Sequence, residues 1–174
     1  MIRLLAVSGS LRAASTNKAL LEAAAILVPS GVTIALFEGL AGIPPFNPDL
    51  DIEPPPPAVS LWRREIGACD GVLISSPEYA RGVPGALKNA LDWLVSSDVF
   101  PDKPVALFNA SERGVAMQAS LRLILETMSA KLVESAMLTV PLLGKETDAA
   151  AIAVHPVYAQ KIHEALKAYA RFLA

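Results

Sequence analysis

Residues 8–17, SGSLRAASTN, combine several hydroxyl side chains with an arginine at the start of a helical pattern. Side-chain hydroxyls, the free backbone amides of a helix N-terminus and the guanidinium of Arg12 are donors that suit a phosphate group. Neither the GxGxxG spacing of dinucleotide-binding proteins nor the GxxxxGK[ST] spacing of a P-loop is present. Plain N-capping by Ser15 or Thr16 explains one or two of these residues and leaves the other hydroxyls unexplained. The segment therefore predicts a site for a phosphate monoester.

Residues 75–93, SSPEYARGVPGALKNALDW, form a stiff corner directly after an apolar stretch. Pro77 fixes the backbone as it enters the corner, Gly82 permits close approach of the backbone to a ligand, and Pro84 suits the start of a helix. A third polar loop, NASERG at residues 109–114, follows another apolar stretch. These three loops are the segments that carry candidate binding groups.

The elements that must position these loops alternate along the chain. Apolar runs predict five strands, over residues 2–7, 32–37, 71–74, 105–108 and 132–140. Helical periodicity predicts five helices, over residues 17–28, 58–68, 85–95, 115–130 and 157–173. This alternation predicts an α/β fold with a parallel sheet covered by helices on both faces. Ligands bind such sheets beyond the carboxyl ends of the strands, where the three loops lie.

The composition excludes several classes of protein. The chain has 174 residues, 53% of them hydrophobic, with a mean hydropathy of +0.43 and a formal net charge of −2. This length fits one domain over residues 1–174, and the apolar excess predicts strands buried on both faces, an apolar oligomer interface, or both. The mixed charges supply no basic stripe, so we expect no nucleic-acid partner.

No disulfide, metal site or membrane segment is expected. Cys69 is the only cysteine, which we assign to packing, and His155 and His163 lie outside any HExxH pattern. The apolar stretch at the start of the sequence is too short for the hydrophobic region of a signal peptide, and no apolar run approaches the ~20 residues that span a bilayer. We therefore expect a soluble, cytoplasmic protein with no membrane contact.

Residues 39–57 interrupt the alternation, because seven of them are proline. Proline at this density excludes a regular helix or central strand and predicts a stiff surface loop of polyproline character. This loop is either a spacer around the rim of the domain or a segment that docks into an aromatic groove of a partner. Trp93 and Leu94, at the end of the helix after the corner, belong either to the core or to a dimer interface.

The loop at residues 8–17 resembles the phosphate-binding loop of the NADPH-dependent FMN reductase family, flavodoxin-like enzymes that include bacterial quinone and chromate reductases. The corner is similar to that family's second signature, PEYN followed by PG, LKNA and DW. The resemblance implies a flavodoxin-like three-layer sandwich with a five-stranded parallel sheet in the order 2-1-3-4-5. It also implies FMN as cofactor, NADPH or NADH as reductant, and a homodimer or homotetramer.

The resemblance further implies which residues contact FMN. The phosphate side comprises Ser10, Arg12, Ser15, Thr16 and Asn17. The corner contributes Pro77, Glu78, Tyr79, Ala80 and Gly82, largely through the backbone, as a rigid ledge for the flavin ring. The loop after the fourth strand contributes Ser111 and Gly114. Ala80 departs from the family, which commonly has Asn there, so a side-chain hydrogen bond near the flavin or in the turn is lost. Arg81 contacts a nicotinamide nucleotide or a neighbouring subunit, or is solvated.

No nucleophile, general base and orienting partner occur together in the sequence, which fits an enzyme whose cofactor carries the chemistry and which has no catalytic side chain. We expect an FMN-dependent NAD(P)H oxidoreductase that acts on quinones, azo compounds, metal ions or related small-molecule acceptors by ping-pong kinetics. Two alternatives remain. One is a flavodoxin-like electron carrier, against which the near-neutral charge and Arg12 argue, and the other is an interaction module of the same fold without FMN.

Overall fold

The computed structural model describes residues 1–142 and 148–174. The strands are β1 (Ile2–Ser8), β2 (Val32–Leu36), β3 (Gly71–Ser75), β4 (Pro104–Asn109), β5 (Lys131–Leu132) and β6 (Leu138–Thr139). Each described strand pair is parallel, and the order is β2-β1-β3-β4-β5, with β6 also paired to β4. The predicted parallel sheet with strand order 2-1-3-4-5 is confirmed.

Helices cover both faces of this sheet. They are α1 (Thr16–Ile26), α2 (Pro57–Ala68), α3 (Gly85–Asp92), α4 (Val115–Thr127), α5 (Ala149–Val154) and α6 (Pro156–Leu173). Alternate residues of the central strands point to opposite faces, because the side-chain period of a strand is two. Leu4 and Ala6 of β1 pack with α1, α5 and α6, whereas Leu5 and Val7 pack with α2, α3 and α4. The result is three layers with a core on each side of the sheet, and α5 is a helix that the periodicity did not predict.

The predicted fifth strand over residues 132–140 is wrong as one continuous strand. A 3-10 turn, Glu134–Ala136, separates β5 from β6. From Leu132 to Leu138 the edge advances six residues, while their partners Val105 and Phe108 lie three apart, so the edge carries three extra residues. Opposite this interruption, the backbone amide of Leu107 in β4 donates to the sulfur of Met137 at 3.1 Å instead of to a strand carbonyl.

The proline-rich segment 39–57 is more firmly attached than a surface spacer would be. It contains two 3-10 turns, Leu40–Gly42 and Pro48–Leu50, and its Leu40 is buried in the core. The indole nitrogen of Trp93 donates to the carbonyl of Pro44 at 2.8 Å, and the ring of Phe46 meets the Trp93 ring edge-on. Trp93 and Leu94 are therefore core residues of this chain, and Trp93 is covered by its own proline-rich segment.

A second attachment of this segment is polar. Asp51 forms an ion pair of 2.8 Å with Arg63 of α2, and the Arg63 guanidinium also donates to the carbonyl of Trp93 at 2.6 and 2.9 Å. The Asp51 carboxylate accepts a further hydrogen bond from the hydroxyl of Ser96. One arginine thus joins the proline-rich segment to α2 and to the end of α3.

Candidate functional site

A cleft of about 380 Å³ opens at the carboxyl ends of β1, β3 and β4. The loops after these strands form its walls, as a parallel sheet of this order predicts. Ten of the predicted site residues line the cleft: Ser10, Arg12, Ser15, Thr16, Asn17, Pro77, Glu78, Tyr79, Ser111 and Gly114. The other two, Ala80 and Gly82, lie in the turn that follows Tyr79.

The loop after β1 both caps α1 and presents donors to the cleft. Ser15 is the N-cap of α1, and its hydroxyl oxygen accepts a hydrogen bond from the amide of Lys18 at 3.3 Å. Within the described residues, the backbone amides of Thr16 and Asn17 donate to no protein group. N-capping and anion binding, the two interpretations of this sequence, are therefore compatible, because capping uses a different amide.

Arg12 supplies the positive charge of this loop. Its side chain is exposed at the cleft, and in residues 1–142 and 148–174 no acidic group forms an ion pair with its guanidinium. The neighbouring cation, Lys18, is instead paired with Glu38 at 3.1 Å. Arg12 is thus available to a ligand, whereas Lys18 is already neutralised.

Asn17 has a second role that its sequence position did not reveal. Its side-chain oxygen accepts a hydrogen bond of 3.0 Å from the hydroxyl of Ser75, at the end of β3. The NH₂ group of the side chain, which carries two donors, remains for a ligand. Asn17 therefore ties the loop after β1 to β3 in addition to lining the cleft.

The corner after β3 is a tight turn with an unusual backbone. Tyr79 and Gly82 exchange backbone hydrogen bonds of 3.2 and 2.9 Å, and the two residues between them have positive φ, 48° for Ala80 and 60° for Arg81. A two-residue turn with both central residues in the left-handed region is a type I′ turn, which favours Asn and Gly. The backbone at Ala80 therefore favours Asn or Gly, and the Asn that the resemblance implied at this position would fit it with less strain than alanine does.

The side walls of the cleft are joined by Glu78. Its carboxylate accepts a hydrogen bond of 2.8 Å from the backbone amide of Met117, in the first turn of α4. Gly114, the N-cap of α4, lies beside it, since a Cβ at this glycine would be 3.9 Å from the Cβ of Glu78. Ser111 stands at the start of the same wall, where its hydroxyl oxygen accepts from the amide of Arg113 at 3.0 Å.

Several cleft residues were not predicted from the sequence. They are Ser76, Asn109, Ala110, Arg113, Met117 and Gln118. Asn109 carried a usable signal, because a polar residue directly after an apolar strand falls at the ligand-binding edge. Met117 and Gln118 carried none, because residues of a first helical turn face the cleft only once the position of α4 is known.

The donors of the cleft fit FMN. A phosphate monoester needs several donors and positive charge, which the amides of Thr16 and Asn17 and the guanidinium of Arg12 offer together. A flavin ring needs a rigid, largely apolar wall with a few polar groups, and the cleft lining includes Pro77 and Tyr79 from the corner and the hydroxyl of Ser111 from the loop after β4. The Tyr79 side chain is 50% exposed, so it also reaches the mouth of the cleft.

The cysteine and the histidines lie away from this cleft. Cys69 is buried, and burial raises the pKa of its thiol, so it packs as expected. His155 is the N-cap of α6, and His163 contacts the carbonyl of Leu27 at 3.2 Å. Within the described ranges, no helix is both long enough and apolar enough to cross a bilayer.

Comparison with known proteins places these features in a family. Residues 2–143 match the sequence profile of the family described as NADPH-dependent FMN reductase. An NAD(P)H-dependent FMN reductase of Pseudomonas aeruginosa is 43% identical over 112 residues, which are 63% of this chain and 60% of that protein. A 2-hydroxy-1,4-benzoquinone reductase of a Burkholderia species is 39% identical over 113 residues, which are 63% of this chain and 61% of that protein. The matches thus span about three-fifths of these relatives.

Two solved structures share the fold. FerB, a flavoenzyme NAD(P)H:(acceptor) oxidoreductase from Paracoccus denitrificans, has a TM-score of 0.70 at 24% identity and covers 99% of this chain and 91% of its own. The apo form of an NADH:FMN oxidoreductase, EMOB, has a TM-score of 0.71 at 20% identity and covers 100% of this chain and 91% of its own. Both are flavodoxin-like in their layers, as this chain is. Because the family profile covers residues 2–143 of the 174, the chain belongs to the NADPH-dependent FMN reductase family.

Proposed function

We propose that this chain is an FMN-dependent NAD(P)H oxidoreductase that reduces quinones or related small acceptors such as azo compounds and oxidised metal ions. The observation that carries the proposal is the cleft itself. It brings the phosphate donors after β1 and the rigid corner after β3 to one edge of the sheet. The relatives named as FMN and quinone reductases support the same reaction class.

The residues of the cleft have distinct tasks in this proposal. Arg12, Ser10 and the amides of Thr16 and Asn17 hold the phosphate of FMN. Pro77 and Tyr79 flank the ring, and Ser111 donates at its polar edge. When bound, FMN supplies the redox chemistry by accepting a hydride from NAD(P)H and passing the electrons to the acceptor. The side chains therefore bind, orient and shield, and the reaction needs no nucleophile from the protein.

A visible spectrum of the purified chain tests the cofactor, and anaerobic mixing with NADPH or NADH tests the reaction. We expect the visible absorbance bands of oxidised flavin after incubation with FMN, and loss of these bands on addition of nicotinamide nucleotide alone. A band that persists until a separate reductase is added would assign the chain to the electron carriers. A chain that takes up no FMN would be an interaction module of the same fold.

We propose further that the reductant and the acceptor use the same open face of the site in turn. The cleft is small, and residues from three loops already surround the position assigned to the cofactor. Alternating occupancy gives ping-pong kinetics, so double-reciprocal plots at several acceptor concentrations should be parallel. Intersecting lines, with normal bleaching by the nucleotide, would contradict the shared face and leave the reductase function in place.

We also propose that the chain is one domain that assembles as a homodimer or homotetramer in the cytoplasm. Exposed apolar side chains support assembly, since Leu50, Ile52 and Leu61 line a surface groove together with residues 54–57, all proline. The buried, unpaired Cys69 agrees with a reducing compartment. Light scattering should give a mass of two or four times 18.3 kDa at micromolar protein, and a single 18.3 kDa species with FMN bound would reject assembly. A single cooperative melting transition is expected of one domain. Cell fractionation should recover the protein in the cytoplasmic fraction.

A further inference from the structure

The first turn of α4 is capped by a residue that lies far away in the sequence. The amide of Met117 is among the first amides of the helix, which have no acceptor within the helix itself. Gly114 is the N-cap and has no side chain with which to cap, and the first turn contains no acidic residue. The acceptor is the carboxylate of Glu78, 39 residues earlier, at 2.8 Å. The cap of α4 is therefore supplied by the loop after β3.

This hydrogen bond spans the two walls of the cleft. Glu78 belongs to the corner after β3, and Gly114, Met117 and Gln118 form the wall after β4. Because the bond joins a carboxylate to a backbone amide, it is charge-assisted and stronger than a neutral one. The negative charge also lies at the N-terminal end of α4, where the helix macrodipole favours it.

We propose that Glu78 is a positioning residue for FMN, because its carboxylate fixes the first turn of α4 against the loop after β3 and so sets the distance between the cleft walls. This inference rests on the proposed function. The role of Glu78 is then carried by its side chain acting on α4, in addition to the backbone contact with FMN that the family resemblance implies. Loss of the carboxylate would let the first turn of α4 fray, and Ser111 and Gly114 would no longer be held beside the ring.

Two substitutions of Glu78 separate the loss of its hydrogen-bond acceptor from the loss of its charge. Glu78→Ala removes the acceptor, whereas Glu78→Gln keeps an oxygen at the same reach and removes only the charge. The matched control is Glu112→Gln, because Glu112 is exposed on the loop that leads to α4 and caps no amide of the described helix. Each variant is compared with the wild-type chain in two measurements.

The first measurement is hydrogen exchange of the Met117 amide in the chain before FMN is added. We expect Glu78→Ala to speed this exchange about tenfold, the factor that corresponds to a helix cap of ordinary strength. Glu78→Gln should restore part of the protection, because it keeps a neutral acceptor and loses the charge, and Glu112→Gln should equal the wild type. Unchanged exchange in Glu78→Ala would overturn the proposal, because the hydrogen bond would then not hold the helix.

The second measurement is the Kd of FMN by quenching of flavin fluorescence. We expect Glu78→Ala to weaken binding about tenfold and Glu78→Gln, which keeps a neutral acceptor, to recover part of the affinity. Equal losses in the two variants would overturn the proposal, because charge or direct contact with FMN would then be the lost interaction. Wild-type affinity in Glu78→Ala would overturn it as well. A wild-type chain that binds no FMN would instead overturn the proposed function and this inference together.

Discussion

The side-chain oxygen of Asn17 accepts a hydrogen bond from the hydroxyl of Ser75 at 3.0 Å, and both residues are buried, at 7% and 0% exposed. This bond joins the first turn of α1 to the end of β3, so it holds the phosphate side of the cleft in register with the flavin side. Ser75 is fully buried and Asn17 is nearly so, which leaves either side chain little access to bulk water when the other is removed.

We therefore expect Ser75→Ala to lower the free energy of unfolding by about 1 to 3 kcal/mol, because the Asn17 oxygen would remain buried without a donor. Asn17→Ala should cost a similar amount. The double variant should cost less than the sum of the two, because each single change breaks the same bond. Urea unfolding of the chain without FMN measures all three, and strictly additive losses would show that the bond contributes nothing of its own.

Arg12 should determine affinity for FMN without supporting the fold. A charge-assisted contact to phosphate corresponds to roughly 1.5 to 3 kcal/mol, so Arg12→Ala should weaken FMN binding about ten- to a hundredfold. The melting temperature of the Arg12→Ala variant before FMN is added should equal that of the wild type. In the described part of the wild-type chain, the Arg12 guanidinium has no ion-pair partner to lose.

The control for this experiment is Arg3→Ala. Arg3 is exposed near the start of β1, at the edge of the sheet opposite the cleft, and its removal changes the net charge by the same amount. FMN titrations should separate the two variants clearly. Equal affinities in Arg12→Ala and Arg3→Ala would remove Arg12 from the phosphate site.

The edge of the sheet that carries the site could be predicted from the sequence, because it follows from periodicity and from the rule that parallel strands place their ligands at the carboxyl ends. Capping by Ser15 or Thr16 also follows from local sequence, and the structure selects Ser15. Gly82 was predicted to permit close approach of the backbone to a ligand, and the structure adds that it closes a tight turn with Tyr79. The interruption of the fifth strand did have a local signal, because Glu134 and Ser135 break the apolar run 132–140 where the 3-10 turn lies. The number of extra residues follows only from the pairing with β4.

The contacts between segments that are distant in the sequence could not be predicted from local patterns either. The Glu78 carboxylate and the Met117 amide are 39 residues apart, and no local pattern relates an acidic residue to a later helix. Likewise, proline density predicts the stiffness of residues 39–57 and says nothing of Trp93, whose indole group donates to Pro44. Local propensity thus predicts elements and turns, while side-chain partners depend on the assembled fold.

Asp51 should make stability depend on acidic pH. Hydrogen bonds from Ser96 and from Arg63, together with the Arg63 charge, hold the pKa of its carboxyl below the ordinary value of 3.8, against the opposite effect of burial. A lowered pKa in the folded state means that the unfolded chain binds more protons. The stabilisation by Asp51 is therefore complete above pH 3.8 and is lost as the pH falls through the lower folded value.

We expect Asp51→Asn to lower the free energy of unfolding by about 1.5 to 3 kcal/mol at pH 7, the range of a hydrogen bond to a charged group. The difference from the wild type should shrink below pH 3.8. Asp49→Asn is the control, because Asp49 is exposed in the same segment. Denaturant unfolding across pH 2 to 7 checks this, and a difference that stays constant down to the lowest pH would contradict the role of the Asp51 charge.

The turn after Tyr79 should be open to stabilisation. Ala80 has φ of 48°, a conformation that costs a residue with a Cβ roughly 1 to 2 kcal/mol and that Gly and Asn adopt more readily. Ala80→Asn should therefore raise the free energy of unfolding by about 1 kcal/mol. Ala80→Gly should raise it by about 0.5 kcal/mol, because the added flexibility of the unfolded chain offsets part of the gain.

The matched control is Ala119→Gly in the middle of α4, exposed and helical, which should lower stability by about 1 kcal/mol. Thermal unfolding measures all three variants. A gain in stability for Ala80→Gly and a loss for Ala119→Gly would reflect the different backbone conformations of the two alanines. A loss of stability in both variants would show that the turn carries no strain.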